Sequence, residues 1–254
     1  YTPSLMGTAS ETGSDVFKLQ YFEGEAYLAQ SPQFYKQMAQ ASGFEKVFCV
    51  GPVFRAEPSF TSRHMTEFTG WDFELSYIDS HLDVMSEEEN LIVSGFTQLK
   101  NTVLPDLEIP STPFPRITME EAKEKLNKAG IKAGRKFDIS GEEEIEICKI
   151  IKEETGHDFV FVTDWPAEAR PFYHMRYEDN PSLTKSFDLL YKGLEITTGS
   201  QREHRYDVLI SQAKEKGMSV ESLSDYLNFF KFGCPPHGGA GIGPGRLVMK
   251  ILNI

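Results

Sequence analysis

Two apolar runs separated by a short charged segment constrain this chain more than any other feature. Residues 46–56 (KVFCVGPVFRA) are rich in Val and Phe, and residues 69–77 (TGWDFELSY) alternate polar with apolar side chains. Both patterns predict strands. With only the polar segment 57–63 and a few further residues between them, they predict an antiparallel pair carrying a long working loop.

The rest of the chain is consistent with a fold built on such pairs. Residues 31–42 begin with a Ser-Pro entry signal and contain no breaker, which predicts a helix. Further helices are expected at 86–102, with Ser-Glu-Glu-Glu as an acidic first turn, and at 118–129, 141–154, 207–216 and 225–232, the last ended by Gly233. Residues 130–140 read as an exposed connection. Residues 158–163 (DFVFVT) predict a strand, and 186–197 a strand pair turning at Lys192-Gly193. A glycine-rich stretch, 237–245, precedes a last helix. Strands fall in consecutive groups with no strict strand-helix alternation, so the expected class is α+β, a mainly antiparallel sheet flanked by helices. No repeat of fixed period is visible.

At 254 residues, 40% of them hydrophobic, the chain is long enough for one large domain. No run approaches the roughly 18 to 20 apolar residues that cross a bilayer, so no membrane partner is expected. Cys49, Cys148 and Cys234 are too few and too scattered for a disulfide framework, which fits a reducing compartment. Cys234-Pro235-Pro236-His237 is at most half of a metal site and reads as a loop. The formal charge of −12 disfavours non-specific nucleic-acid binding but leaves room for local basic patches. Both ends read as the interior of a larger fold.

Three constellations carry chemistry. Phe54-Arg55-Ala56-Glu57, followed by Arg63-His64-Met65-Thr66-Glu67-Phe68, sets arginines and an aromatic around a loop, which suits a polyphosphate and a base. A surface salt-bridge loop would read the same. His237 to Arg246 is glycine-rich but matches neither the P-loop nor the dinucleotide fingerprint, so close backbone packing at a strand–helix junction explains its glycines at least as well. Arg246 is the residue there that could touch phosphate. Asp188, Glu195, Thr198 and Gln201-Arg202 supply hard oxygen ligands of the kind magnesium prefers, provided the Lys192-Gly193 turn brings the two carboxylates together; a solvated sheet edge is the alternative. No nucleophile with a local histidine and acid is present, and Gly-x-Ser-x-Gly is absent.

Taken together these segments resemble the signature motifs of class II aminoacyl-tRNA synthetases, and specifically the aspartyl enzymes of archaeal and eukaryotic type. Thr2-Pro3 resembles the end of motif 1, Phe54 to Phe68 motif 2, and Gly241-Ile242-Gly243-Pro244-Gly245-Arg246 motif 3. Ser10-Glu11, Ser31-Pro32-Gln33 with Lys36, and Gly199-Ser200-Gln201-Arg202-Glu203-His204 match the aspartyl branch. The match runs in order over nearly the whole chain. It implies ATP and magnesium, and L-aspartate and tRNA as substrates. Arg55 and Arg246 would be the catalytic arginines, Arg55 on the α-phosphate and the aspartate carboxylate. Phe68 and Arg246 would sandwich adenine, with Glu57, Arg63, His64, Met65, Glu195 and Gly243 completing the ATP site. Glu11 and Gln33 would meet the amino group of aspartate, and Lys36 and Arg202 its side-chain carboxylate, with Asp72 behind them and Thr198 also in the aspartate site. Asp188, Glu195 and Thr198 would hold magnesium.

This chemistry needs no protein nucleophile, because adenylation is an in-line displacement in which the protein positions groups and neutralises charge. Two cations facing a carboxylate would discriminate against neutral asparagine by roughly 10⁴ or more. Gly245, Pro58-Ser59-Phe60 and Thr12 depart from the family's pattern. The resemblance further implies a homodimer, a cytoplasmic location, and a catalytic domain, 1–254, that lacks the N-terminal anticodon-binding domain, most of motif 1 and a C-terminal tail. An asparaginyl-tRNA synthetase or related asparagine synthetase, and a non-catalytic tRNA- or protein-binding paralogue, are the competing readings.

Overall fold

Reciprocal capping boxes set where three of the helices begin. The computed structural model describes residues 1–7, 16–56, 58, 64–131 and 134–254. In chain order the elements are β1 (Leu5–Met6), β2 (Lys18–Tyr21), β3 (Gly24–Leu28), α1 (Gln33–Ala41), β4 (Lys46–Phe54), β5 (Glu67–Ser76), α2 (His81–Thr102), β6 (Arg116–Thr118), α3 (Met119–Lys128), α4 (Gly141–Thr155), β7 (Phe159–Thr163), β8 (Ser186–Tyr191), β9 (Leu194–Gln201), α5 (Tyr206–Glu215), α6 (Ser224–Asn228), β10 (His237–Ile242) and α7 (Pro244–Leu252). Thr118 and Ser140 cap α3 and α4 with reciprocal Glu121 and Glu143 contacts. The helix expected from Ser86 starts five residues earlier, because Ser80 and Asp83 form a capping box ahead of it. The helix expected over 225–232 stops at Asn228 and continues only as turns to Gly233, which takes φ 108°.

A seven-stranded sheet in the order β4-β5-β10-β9-β8-β7-β6 forms the body, antiparallel throughout except for the parallel β6–β7 edge. The expected β4–β5 hairpin is present, from Lys46 opposite Leu75 to Phe54 opposite Glu67. β8 and β9 turn at Lys192 and Gly193, both at positive φ as a tight hairpin requires. The glycine-rich run is a strand–helix junction with close backbone packing: residues 237–242 form β10, in the middle of the sheet, and α7 follows from Pro244. Short β1, β2 and β3 make a separate small sheet, which the sequence reading did not contain.

β7 alternates Phe159 and Phe161 against Val160 and Val162, and all of these are buried because both sheet faces are covered at that end. The phenylalanines join Phe187, Leu189 and Tyr191 under α2, and the valines join Leu190 under α3 and α4. A third cluster of Phe34, Phe172, Leu209, Tyr226 and Phe230 ties α1, α5 and α6 together. At about 1.5–3 kcal/mol per buried large side chain, these clusters hold the frame. Between α1 and the α3–α4 pair, the middle strands leave one face open.

Candidate active site

That open face is floored by β5, β10 and β9. Period-two geometry puts Asp72 and Glu74 of β5 on the same side, facing Gly241 and Gly239 of β10, with Thr198 and Ser200 of β9 beyond. The glycines are what let the floor carry large charged groups. A Cβ at Gly239 would overlap the Phe73 carbonyl oxygen and the Glu74 carboxylate, and one at Gly241 would come within 3.1 Å of Asp72 Oδ2.

Four charges interlock on this floor. Lys36, on α1 and 2% exposed, donates to Asp72 Oδ2 at 2.8 Å and to the Ala240 carbonyl at 3.2 Å. Glu74 Oε2 also lies 3.2 Å from Lys36 Nζ, but without hydrogen-bond geometry, so this contact is one of charge alone. Arg202 donates Nε–H to Glu74 Oε1 at 2.8 Å. Its other nitrogens reach Ser200 Oγ at 2.7 Å, the Gly239 carbonyl at 2.9 Å and His174 Nε2 at 3.2 Å. Burial alone would raise the Glu74 pKa, but the Arg202 guanidinium, then Lys36, outweigh it and hold this carboxyl below its ordinary range. His174 is held neutral, far below the usual imidazole range, by burial and by the Arg202 charge.

A cleft of about 500 Å³ opens above the floor, lined by Gln33, Arg55, Phe68, Arg202, Glu195 and Arg246 among others. Arg55, exposed just past β4, sits over the Phe68 ring at 5.4 Å. His64, Met65, Asp72, Thr198, Gly243 and Gly245 also line it. Arg246, in the first turn of α7, donates to the Glu195 carbonyl at 2.9 Å and to Glu195 Oε1 at 3.2 Å. Thr198 Oγ1 is 3.5 Å from that same Oε1.

Asp188 stands opposite Thr198 in the β8–β9 ladder, and a bulge at Leu189/Leu190 lies between it and Glu195's partner Leu190. The turn therefore does bring the two carboxylates to one face. Asp188 Oδ2 is bound by Arg170 at 2.7 Å, while its buried Oδ1 has no hydrogen-bond partner among the described residues. Burial pushes this carboxyl up, the Arg170 charge opposes, and the Glu195 charge adds to the rise.

Of the residues expected to form a site, Gln33, Lys36, Arg55, His64, Met65, Phe68, Asp72, Asp188, Glu195, Thr198, Arg202, Gly243 and Arg246 gather at or beside this cleft. Glu11, Glu57 and Arg63 lie outside the described residues. Sequence reading missed Glu74, His174 and Arg170. Glu74 could have been found, since it lies two residues after Asp72 on an alternating strand; His174 and Arg170 stand in irregular chain with no periodic signal.

The chain belongs to the class II tRNA synthetases of the D, K and N group, whose family model matches residues 1–254. Among curated relatives, the aspartate–tRNA(Asp) ligase of Pyrococcus abyssi is 44% identical over all of this chain and 60% of its own length. The aspartate–tRNA(Asp/Asn) ligase of Aeropyrum pernix is 45% identical with the same coverage. The chain thus spans about 60% of the length of these relatives. Among solved structures, the aspartyl-tRNA synthetase of Entamoeba histolytica superposes with a TM-score of 0.85 at 39% identity, covering 90% of this chain and 49% of that one. The asparaginyl-tRNA synthetase of Pyrococcus horikoshii complexed with asparaginyl-adenylate gives 0.88 at 34% identity, covering all of this chain and 60% of that one.

Proposed function

We propose that this chain is the catalytic part of an aspartate–tRNA ligase, which joins L-aspartate to AMP and then to the 3′ end of tRNA. One observation carries the choice of amino acid. Asp72 and Glu74 compensate the charges of Lys36 and Arg202, so the floor is not a bare positive site. Two of Lys36's three donors and four of Arg202's five are committed among the described residues. One N–H on each cation is left, which suits the two oxygens of a side-chain carboxylate; an asparagine amide would set an NH₂ against one of them.

In the first reaction a carboxylate oxygen of aspartate attacks the α-phosphorus of ATP, the bond to the bridging oxygen breaks, and pyrophosphate leaves. Arg55 at the cleft mouth neutralises the negative charge that gathers on the α-phosphate, and Phe68 offers a face for adenine. Arg246 is set by its two bonds to Glu195 to close the nucleotide from the other side. No protein group becomes covalently attached.

Magnesium fits the donors present: Glu195, the Thr198 hydroxyl and Asp188, whose buried Oδ1 lacks a partner among the described residues, are hard oxygen ligands. When bound there the ion supplies charge neutralisation to the phosphates. A tRNA partner, homodimerisation, an anticodon-binding domain elsewhere in the full-length protein and a cytoplasmic location go with this reading. No helix among the described residues is long and apolar enough to cross a membrane.

ATP–pyrophosphate exchange by the full-length protein with aspartate, asparagine or no amino acid tests the proposal. Exchange with aspartate alone is expected. Exchange with asparagine would move the protein to the asparaginyl branch, and none from a folded, ATP-binding protein would overturn the enzymatic reading.

A further inference from the structure

The run Cys234-Pro235-Pro236-His237 has no part in the chemistry above, yet it anchors a buried hydrogen-bond chain that ends at the cleft. His237 opens β10 and is fully buried. Its Nδ1 lies 2.9 Å from the Pro235 carbonyl oxygen, which can only accept. Cys234 Sγ, 3.5 Å from the same nitrogen, is a weaker second contact. Burial pushes the His237 pKa down to about 4, with the Glu74 charge opposing, so the ring is neutral at pH 7. A neutral ring with its proton on Nδ1 has a bare, accepting Nε2.

The polarity then passes along the chain of side chains. Gln37 Nε2, 3.2 Å from His237 Nε2, must be the donor of that bond. Gln37 Oε1 is therefore turned the other way, where it accepts from the Tyr226 hydroxyl at 3.1 Å and from Gln33 Nε2 at 2.9 Å. That commits the nitrogen end of Gln33 to the interior. Its Oε1 is the end left for the cleft, whose wall Gln33 forms, and no described residue donates to it.

A side-chain amide offers a donor at one end and an acceptor at the other, and the two are nearly equal in shape. Turned over, Gln33 would present N–H to whatever occupies the cleft. We infer that the Pro235 carbonyl, acting through His237 and Gln37, fixes the Gln33 amide with its oxygen toward the cleft, making His237 and Gln37 positioning residues for the ammonium group of the amino-acid substrate. This rests on the proposed function and on the role that the family resemblance implies for Gln33, contact with that group. The relay explains why α1 buries Gln37 at 0% exposure and why a histidine opens the central strand.

The test compares aspartate with succinate, which is aspartate without its amino group, by binding to the full-length protein. In His237→Leu, aspartate affinity should fall about tenfold or more, the usual cost of a hydrogen bond to a charged group, while succinate affinity changes less than about twofold. His237→Gln, whose Oε1 can stand in for Nε2 as the acceptor, should restore most of the loss. Equal losses for the two ligands, or none for aspartate, would overturn the inference. Should the leucine variant fail to fold, the wild-type ¹⁵N spectrum decides independently: a protonated Nδ1 and bare Nε2 on His237 are expected, and a protonated Nε2 overturns the relay. If the wild type binds neither ligand, the substrate reading has failed, and the same spectrum still decides the relay.

Discussion

Glu74 and Arg202 meet over the top of a strand that lies between them. Glu74 belongs to β5, Arg202 follows β9, and their 2.8 Å bond passes above Gly239 of β10. Only a residue without a side chain permits that crossing. The pair thereby clamps three neighbouring strands at the point where the substrate carboxylate is proposed to bind.

Removing the charge of Glu74 should cost far more than a surface ion pair. In Glu74→Gln, Lys36 and Arg202 remain buried with Asp72 as their main counter-charge, and a loss of about 3–5 kcal/mol is expected from urea unfolding at pH 7. Because the folded pKa is lowered, the stability contributed by the charge is present above the unfolded carboxyl value and is lost as pH falls through the folded one. The gap between wild type and variant should therefore narrow in acid; a gap that does not vary with pH would count against the ion pair.

Two glycines of one segment should respond in opposite ways. At Gly239 an added methyl group overlaps the Phe73 carbonyl and the Glu74 carboxylate, so Gly239→Ala should lose about 3 kcal/mol or more, or fail to fold. At Gly245 it would meet only Met65 Cε at 3.5 Å, an ordinary contact, and Gly245→Ala should leave the melting temperature nearly unchanged.

Arg55 is exposed and outside the clusters that hold the frame. Arg55→Ala should keep the circular dichroism and unfolding midpoint of the wild type while lowering aspartate-dependent pyrophosphate exchange by about 10²-fold or more. Near-normal exchange would remove this arginine from the mechanism.

Glu88, on α2, is fully buried, and among the described residues neither oxygen has a hydrogen-bond partner within 3.5 Å, the Thr197 hydroxyl being near but not bonded at that distance. Burial pushes its pKa up to about 8; the Thr197 hydroxyl opposes the rise, and Glu89 and Asp188 add to it. A raised carboxyl pKa means the folded state holds its proton longer, so stability is highest in acid and falls as pH climbs from the unfolded value toward the folded one. Glu88→Gln should gain about 2 kcal/mol or more at pH 9 and little at pH 5. An equal change at both values would show that Glu88 does not titrate in this range.

The sequence was most legible where one physical signal dominates. Val and Phe content gave β4, alternation gave β5, the Lys192-Gly193 turn gave the β8–β9 pair, and Glu-, Lys- and Leu- or Ile-rich runs gave α3 and α4. The strand–helix junction at the glycine-rich run was legible, but the central place of 237–242 in the sheet was not, because glycine has low strand propensity and its presence there is dictated by neighbours distant in sequence, Glu74 above all. The gathering of Lys36, Asp72, Arg202 and Arg246 was legible through resemblance, not periodicity. What holds them, including His174, Ser200 and the Gly239 carbonyl, depends on register between strands far apart in the chain, which no local pattern encodes.

α1 turns Gln33, Lys36, Gln37 and Gln40 inward, beside the apolar Phe34. Each has a designated partner: Gln33 and Gln37 bond each other, Gln37 reaches His237 and Tyr226, Lys36 meets Asp72, and Gln40 meets Ser76 and the Glu74 carbonyl. Apolar neighbours can be exchanged one at a time with graded loss, but matched donors and acceptors cannot. A replacement at any one of these positions strands its partner, so their effects should be strongly non-additive in combination. The mutational routes by which the proposed amino-acid pocket could drift toward another substrate are therefore few, and they pass through paired changes on α1 and the sheet, not through single steps at the cleft.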